Sequence, residues 1–108
     1  MPEQIEHHDL LSGLVRLHIL HHAAEHPVYG QWMIEELARH GYRLSPGTLY
    51  PMLSKLERDG YLISTTERDG RTSRKFYTIT DKGREGLAVA RLRLNELTGE
   101  TGRNDRQD

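Results

Sequence analysis

Leu44-Ser45-Pro46-Gly47-Thr48-Leu49-Tyr50-Pro51-Met52-Leu53 is the stretch from which the fold of this 108-residue chain is read. Ser45 carries a hydroxyl suited to the free N–H groups of a helix start, and Pro46 has the fixed φ favoured at the first helical position. The pair marks the beginning of a helix. Leu49, Met52, Leu53 and Leu56 then recur at three and four, which lines them up on one side of it. Thr48, Tyr50, Ser54, Lys55 and Arg58 fall off that stripe, toward solvent. Pro51 leaves two readings open. Either the regular helix begins with Thr48 as cap, placing Pro51 in the first turn, or a helix from Ser45 is loosened or kinked where Pro51 lacks its N–H. In both, the residues before Met52 stand on an exposed helix start.

Upstream, Gly41-Tyr42-Arg43-Leu44 is a four-residue connection. The spacing of Trp32, Ile34, Leu37 and Ala38 predicts a short helix from Gln31 to Arg39, ended by Gly41 in a left-handed conformation. His26 to Gly30 reads as a turn. Before it, Asp9 is placed to cap a first helix. Leu10, Leu11, Leu14, Val15, Leu17, Ile19 and Leu20 cover most of that helix's circumference until Pro27 stops it. A helix so apolar needs neighbours on two sides, and another subunit can supply the second.

Downstream, Gly60 ends the third helix and Tyr61 to Glu67, rich in β-branched residues, reads as a strand. Asp69-Gly70 predicts a tight hairpin turn with positive φ at both central residues, and the return strand runs from Ser73 to Thr80. Thr80 or Asp81 then caps a last helix, on which Leu87, Ala90, Leu94 and Leu97 form an apolar seam. The expected organisation is an N-terminal extension over residues 1–8, a winged helix-turn-helix over 9–80, a dimerisation helix over 81–98 and a disordered tail over 99–108. The fold class is mainly α with a small β-hairpin.

Composition narrows the function. Apolar residues at 35% and charged residues at 29% suit a single globular domain rather than a disordered chain. Cysteine is absent, which removes disulfides, thiolate nucleophiles and every sulfur-bound zinc site. No apolar run approaches the roughly 20 residues of a membrane span, and no signal peptide is recognised, so a cytoplasmic protein with no membrane partner is expected. The net charge of −1 is unevenly laid out. Residues 1–40 hold two basic and six acidic side chains, residues 41–94 hold eleven and six, and residues 95–108 hold two and four. The basic excess therefore falls on the third helix, the hairpin and the last helix, where it could meet phosphate.

Helix, helix, four-residue turn, helix, hairpin, helix is the order of a winged helix-turn-helix with one added helix. In such a unit the third helix enters the major groove of double-stranded DNA, with the hairpin against neighbouring backbone. The candidate DNA contacts are Ser45, Thr48, Tyr50, Pro51, Ser54 and Lys55 on the helix, and Arg71, Arg74 and Lys75 on the hairpin. Arg71 and Lys75 are the stronger phosphate candidates, while Arg74 is open to turning inward to a carboxylate, and Tyr50 to tucking its ring under the wing. The candidate dimer interface is Leu10, Leu14, Leu17, Leu87, Ala90, Leu94 and Leu97.

The run from Leu44 to Leu53, followed by Leu56-Glu57-Arg58-Asp59-Gly60-Tyr61-Leu62 and by Arg74-Lys75-Phe76-Tyr77-Thr78-Ile79-Thr80 with Gly83, resembles the PadR family of bacterial transcriptional regulators. The likeness spans about Val15 to Leu97, and the short C-terminus resembles the family's compact branch with a single dimerisation helix. It implies a homodimer, with the first and last helices at the interface, two recognition helices on a pseudo-palindromic operator, a repressor role and an unidentified small-molecule effector. The chain departs from the commoner family pattern in its seven histidines and in having no tryptophan on the last helix.

Those histidines raise a metal question. His18 and His22, or His22 and His26, stand four apart on one helix and can place two imidazoles on one cation. Two ligands do not make a site, and a third would have to come from His7, His8, His40 or another subunit. The expectation is no metal and no cofactor, with a metal- or pH-responsive regulator using the first-helix histidines as the alternative. Trp32 is expected in the core, with an aromatic platform for a flat effector as the other reading. No phosphate-cradling glycine loop, nucleophile elbow or metalloprotease pattern is present, so no catalytic residue is expected. A winged helix used only for protein contact is the remaining alternative. Affinity falling with salt separates DNA binding from it.

Overall fold

The chain folds as α1 (His8–Glu25), α2 (Gly30–Arg39), α3 (Pro46–Arg58), β1 (Leu62–Asp69), β2 (Thr72–Ile79) and α4 (Asp81–Thr98). This computed structural model describes residues 7–99. Most of the expected N-terminal extension and all of the expected tail after Gly99 lie outside the described residues. Four helices surround the base of one two-stranded antiparallel sheet, a mostly helical winged helix. The stripes meet in a single core in which Val15 and Ile19 of α1, Met33 and Leu37 of α2, Leu49 and Leu53 of α3, and Leu62 of β1 are fully buried. Removing each such side chain from water contributes about 1.5–3 kcal/mol.

The two ends of the helix-turn-helix are closed by the same device. Gly41, at φ 93, lets its own N–H reach the Ala38 carbonyl at 3.0 Å while the Tyr42 N–H reaches Leu37 at 2.9 Å. Gly60, at φ 91, repeats the pattern at the end of α3 with Glu57 and with Tyr61 onto Leu56. Both are Schellman caps, and in both the tyrosine that follows packs against the core, which fixes the direction in which the chain leaves the helix.

Three local expectations are corrected and one open question is settled. Asp9 does not cap α1: the helix starts two residues earlier than that cap implies, with His7 at φ 61 as N-cap and no side-chain capping bond. Asp9 sits in the first turn instead, where its charge favours the positive helix end. Ala38 is exposed, off the buried stripe of α2. The start of α3 resolves the Pro51 question: Ser45 is the N-cap, its backbone carbonyl accepts the N–H groups of Thr48 and Leu49 at 3.0 Å each, and the helix continues unbroken through Pro51. The carbonyl that Pro51 leaves without a donor belongs to exposed Gly47, so water can take the missing place. Lastly, Asp69 pairs with Thr72, so Gly70 and Arg71 form the wing tip. Gly70 has φ 67 and Arg71 has negative φ, which is the dihedral pattern of a II′ turn rather than positive φ at two residues.

The segment expected as a plain turn does more. Val28 forms a bridge to Tyr77, accepting its N–H at 2.7 Å and donating at 3.0 Å, and so extends the sheet by one residue. Just past that bridge, where β2 ends, Thr80 caps α4 by accepting from the Gly83 N–H at 3.0 Å. No helix among the described residues is long and apolar enough to cross a membrane.

Candidate nucleic-acid interface

At about 100° per residue, burying Leu49, Met52, Leu53 and Leu56 puts Gly47, Pro51, Ser54 and Arg58 at the middle of the opposite face of α3. All four are exposed. Thr48 and Lys55 lie on one flank, Tyr50 and Glu57 on the other. The Glu57 flank faces the wing: the Ser64 hydroxyl donates to Glu57 at 2.6 Å, and the Lys75 ammonium stands 3.7 Å from the same carboxylate. This contact fixes the hairpin against α3.

Thr48 is half-buried, and its hydroxyl accepts from the Ser45 hydroxyl at 3.4 Å. Tyr50 is 43% exposed, and its ring lies over Gly30 at the start of α2, filling the place a Cβ would take there, 2.1 Å from the ring's Cε1. It is thus seated on α2 and not entombed. Tyr50, Arg74 and Lys75 converge on one cleft of about 300 Å³, shared with Tyr29, Gln31 and Ser73. Ser45, Thr48, Ser54 and Lys55 do not line it, and Arg71 stands apart at the tip.

The cations differ in their commitments. Lys55 donates to Asp59 at 3.0 Å, and that bond holds the Asp59 carboxyl below the ordinary carboxylate range. Lys75 is shared between Glu57 and the face of Tyr77, whose phenol burial pushes up. Arg74 lies across the strand pair from Glu67 but turns to an aromatic ring and not to a carboxylate, its guanidinium 4.2 Å from the centre of Tyr29. Arg68 and Arg71 make no ion pair among the described residues and stand exposed at the wing tip, with Glu67 and Asp69 on the same hairpin. Tyr29, Gly30 and Glu57 are positioning residues that sequence patterning misses, because each acts through a tertiary contact.

Residues 19–89 match the profile of the transcriptional regulator PadR-like family. The chain belongs to that family. Its members are regulators rather than enzymes, and this PadR-like chain is a transcriptional regulator. It is 55% identical over 87 residues to the transcriptional regulator Rv3488 of Mycobacterium tuberculosis, covering 80% of each chain. Among solved structures, a PadR family transcriptional regulator from Eggerthella lenta matches at TM-score 0.78 and 30% identity, over 93% of this chain and 88% of that one. A PadR-like transcription factor from Bacteroides fragilis matches at TM-score 0.74 and 28% identity, over 82% and 87%.

The second surface of this PadR-like regulator lies between α1 and α4. Leu14, Leu17, Leu87 and Leu94 line a cleft of about 200 Å³ with His18, His21 and Arg91. Leu10 and Leu97 are 78% and 79% exposed, and Ala90 is half-buried. Leu87, on the wall of that cleft, is only 5% exposed and also packs in the hydrophobic core. Val89 and Leu92, absent from the expected seam, are exposed on the other side of α4.

A Gly30→Ala variant tests the Tyr50 seat. The atoms in the way are the far end of a half-exposed side chain, so the ring is expected to swing out at little cost in thermal stability. Discrimination between preferred and altered DNA sites should change by about tenfold, as for one lost base contact. Unchanged discrimination by gel shift would remove Tyr50 from the reading surface.

Proposed function

We propose that this regulator is a cytoplasmic, sequence-specific DNA-binding repressor that acts as a homodimer on a pseudo-palindromic operator and is released by a small-molecule effector. The observation that carries DNA binding is the exposed face of α3 held beside a wing whose exposed Arg68 and Arg71 make no ion pair among the described residues. A helix fits the major groove, about 12 Å wide, and the two-residue loop at Gly70-Arg71 brings a guanidinium to the adjoining backbone. Thr48, Tyr50, Pro51, Ser54 and Ser45 would then read base edges and position the helix start, while Lys55, Arg58, Arg71, Arg74 and Lys75 meet phosphate. Dimerisation is supported by the apolar cleft between α1 and α4, whose occupant is the same pair of helices of a second copy across a two-fold axis.

Salt titration of DNA affinity is the test. Arg71→Ala is expected to weaken binding to specific and random DNA alike and to lower the log–log salt slope by about 1. Lys55→Ala should do less, since that ammonium must first leave Asp59. Affinity independent of salt would favour a protein-contact module instead.

A further inference from the structure

The packing of α1 against α2 supplies the third histidine that helix spacing alone leaves missing. We propose that His18, His22 and His40, with Glu36 beside them, form a binding site for one divalent first-row transition-metal ion of the Zn²⁺ type. One ligand nitrogen from each histidine lies within 4.8 Å of the others. Three nitrogens on one zinc, each at about 2.0–2.1 Å, stand about 3.4 Å apart, so closing the set takes ring movements of roughly an ångström. The rings already crowd together: the His18 and His40 centroids are 4.7 Å apart and those of His22 and His40 are 5.9 Å apart.

The Nε2 of His22 is the second observation. It is buried and has no hydrogen-bond partner, an arrangement that leaves a lone pair or an N–H unsatisfied. The Glu36 carboxylate stands 3.7 Å from that atom and 3.3 Å from the His40 Nε2, close enough to offer an oxygen to the same ion and a counter-charge to it. Burial, and for His18 the facing imidazoles, hold His18 and His22 below the ordinary histidine range, which keeps their ring nitrogens available as donors. The donor set, imidazole nitrogen with carboxylate and no sulfur, suits Zn²⁺, Ni²⁺ or Co²⁺ and disfavours soft Cu⁺. His21, His22 and Glu25 make a rival group, but His21 is already held by Arg91 at 2.7 Å and by Glu25 at 3.4 Å. The ion would tie α1, which carries the proposed dimer surface, to the last residue before the 41–44 connection into α3. The site stands whether or not the DNA reading does, because the experiment needs no DNA.

Chelator-stripped full-length protein titrated with Zn²⁺ by calorimetry is expected to bind one ion per chain. His18→Ala and His40→Ala should each weaken binding at least tenfold, while Glu25→Gln and His26→Ala leave it unchanged. His22→Asn should act like the first pair; if it fails to fold, the two less buried positions still decide the matter. Trp32 is the only tryptophan, with its ring 5.5 Å from that of His22, so Ni²⁺ should quench its fluorescence in the native chain and not in a His18→Ala, His40→Ala double variant. Zn²⁺ binding that survives the double variant, that is lost in Glu25→Gln, or that is absent from the native chain would overturn the assignment.

Discussion

A Leu94→Glu variant is expected to sediment as a monomer and to lose about a hundredfold or more of its affinity for a two-half-site operator, the order of magnitude that linking two binding modules supplies. Leu94 is half-buried on the rim of the α1–α4 cleft, so a carboxylate there can turn to water in a lone protomer but has nowhere to go between two apolar helices. The apolar surface at stake is large for a chain of this size. Leu10, Val89, Leu92 and Leu97 are all more than half exposed, and past Leu87 the last helix shows apolar side chains on several faces, as a helix lying between protomers does. Under the proposed dimeric reading, one protomer alone would keep a single recognition helix and the second half-site would contribute nothing. Leu94→Met, which keeps the apolar volume, should remain dimeric and bind normally. A Leu94→Glu chain that stays dimeric places the interface elsewhere. A monomeric one with undiminished affinity means that a single head suffices.

The parts of this picture that sequence conveys are those encoded in short-range pattern. The stripe Leu49, Met52, Leu53, Leu56 sets the orientation of α3 and hence its outward face, and the two glycines at 41 and 60 sit where a left-handed residue must end a helix. Asp69-Gly70 announces a hairpin but not its register, because one residue of slip leaves the composition of the turn nearly the same while moving Arg71 into the loop. Contacts between elements are different in kind. Nothing in the spacing of Val28-Tyr29-Gly30 says that the first will bridge to Tyr77, the second take the guanidinium of Arg74 and the third vanish under the ring of Tyr50. Pairs of histidines four apart on α1 are visible in the sequence, whereas the arrival of His40 depends on the angle between two helices. Lys55 and Arg71 look equivalent as letters, and only the partner at Asp59 distinguishes them.

Gly83→Ala is expected to destabilise the chain by about 2–3 kcal/mol, at the upper end of overpacking, and to lower the thermal midpoint by about 10 °C. Gly83 lies in the first turn of α4 where that helix crosses the beginning of the sheet. A Cβ there would stand 2.3 Å from the Tyr61 carbonyl oxygen and 2.6 Å from Ile79 Cγ1. The first of these is backbone, and it cannot rotate away. The same carbonyl accepts the Thr80 N–H at 3.1 Å, while the Thr80 hydroxyl donates to Gly60 at 2.6 Å and accepts the Gly83 N–H. Moving α4 outward to make room therefore pulls on the N-cap, on the end of α3 and on the floor under Leu87 together. Gly86 is the control: a Cβ there meets only the edge of the Tyr61 ring at 3.2 Å, and that ring is half-buried and able to shift. Gly86→Ala should change stability by less than about 1 kcal/mol, since the helix propensity gained offsets a small clash. Because α4 also carries the proposed dimer surface, the two variants are best compared at equal protein concentration, where subunit association contributes equally to the midpoint. Equal midpoints for Gly83→Ala and the native chain would mean that α4 is not seated on Tyr61, and the argument that the sheet base positions the dimer helix would fail with it.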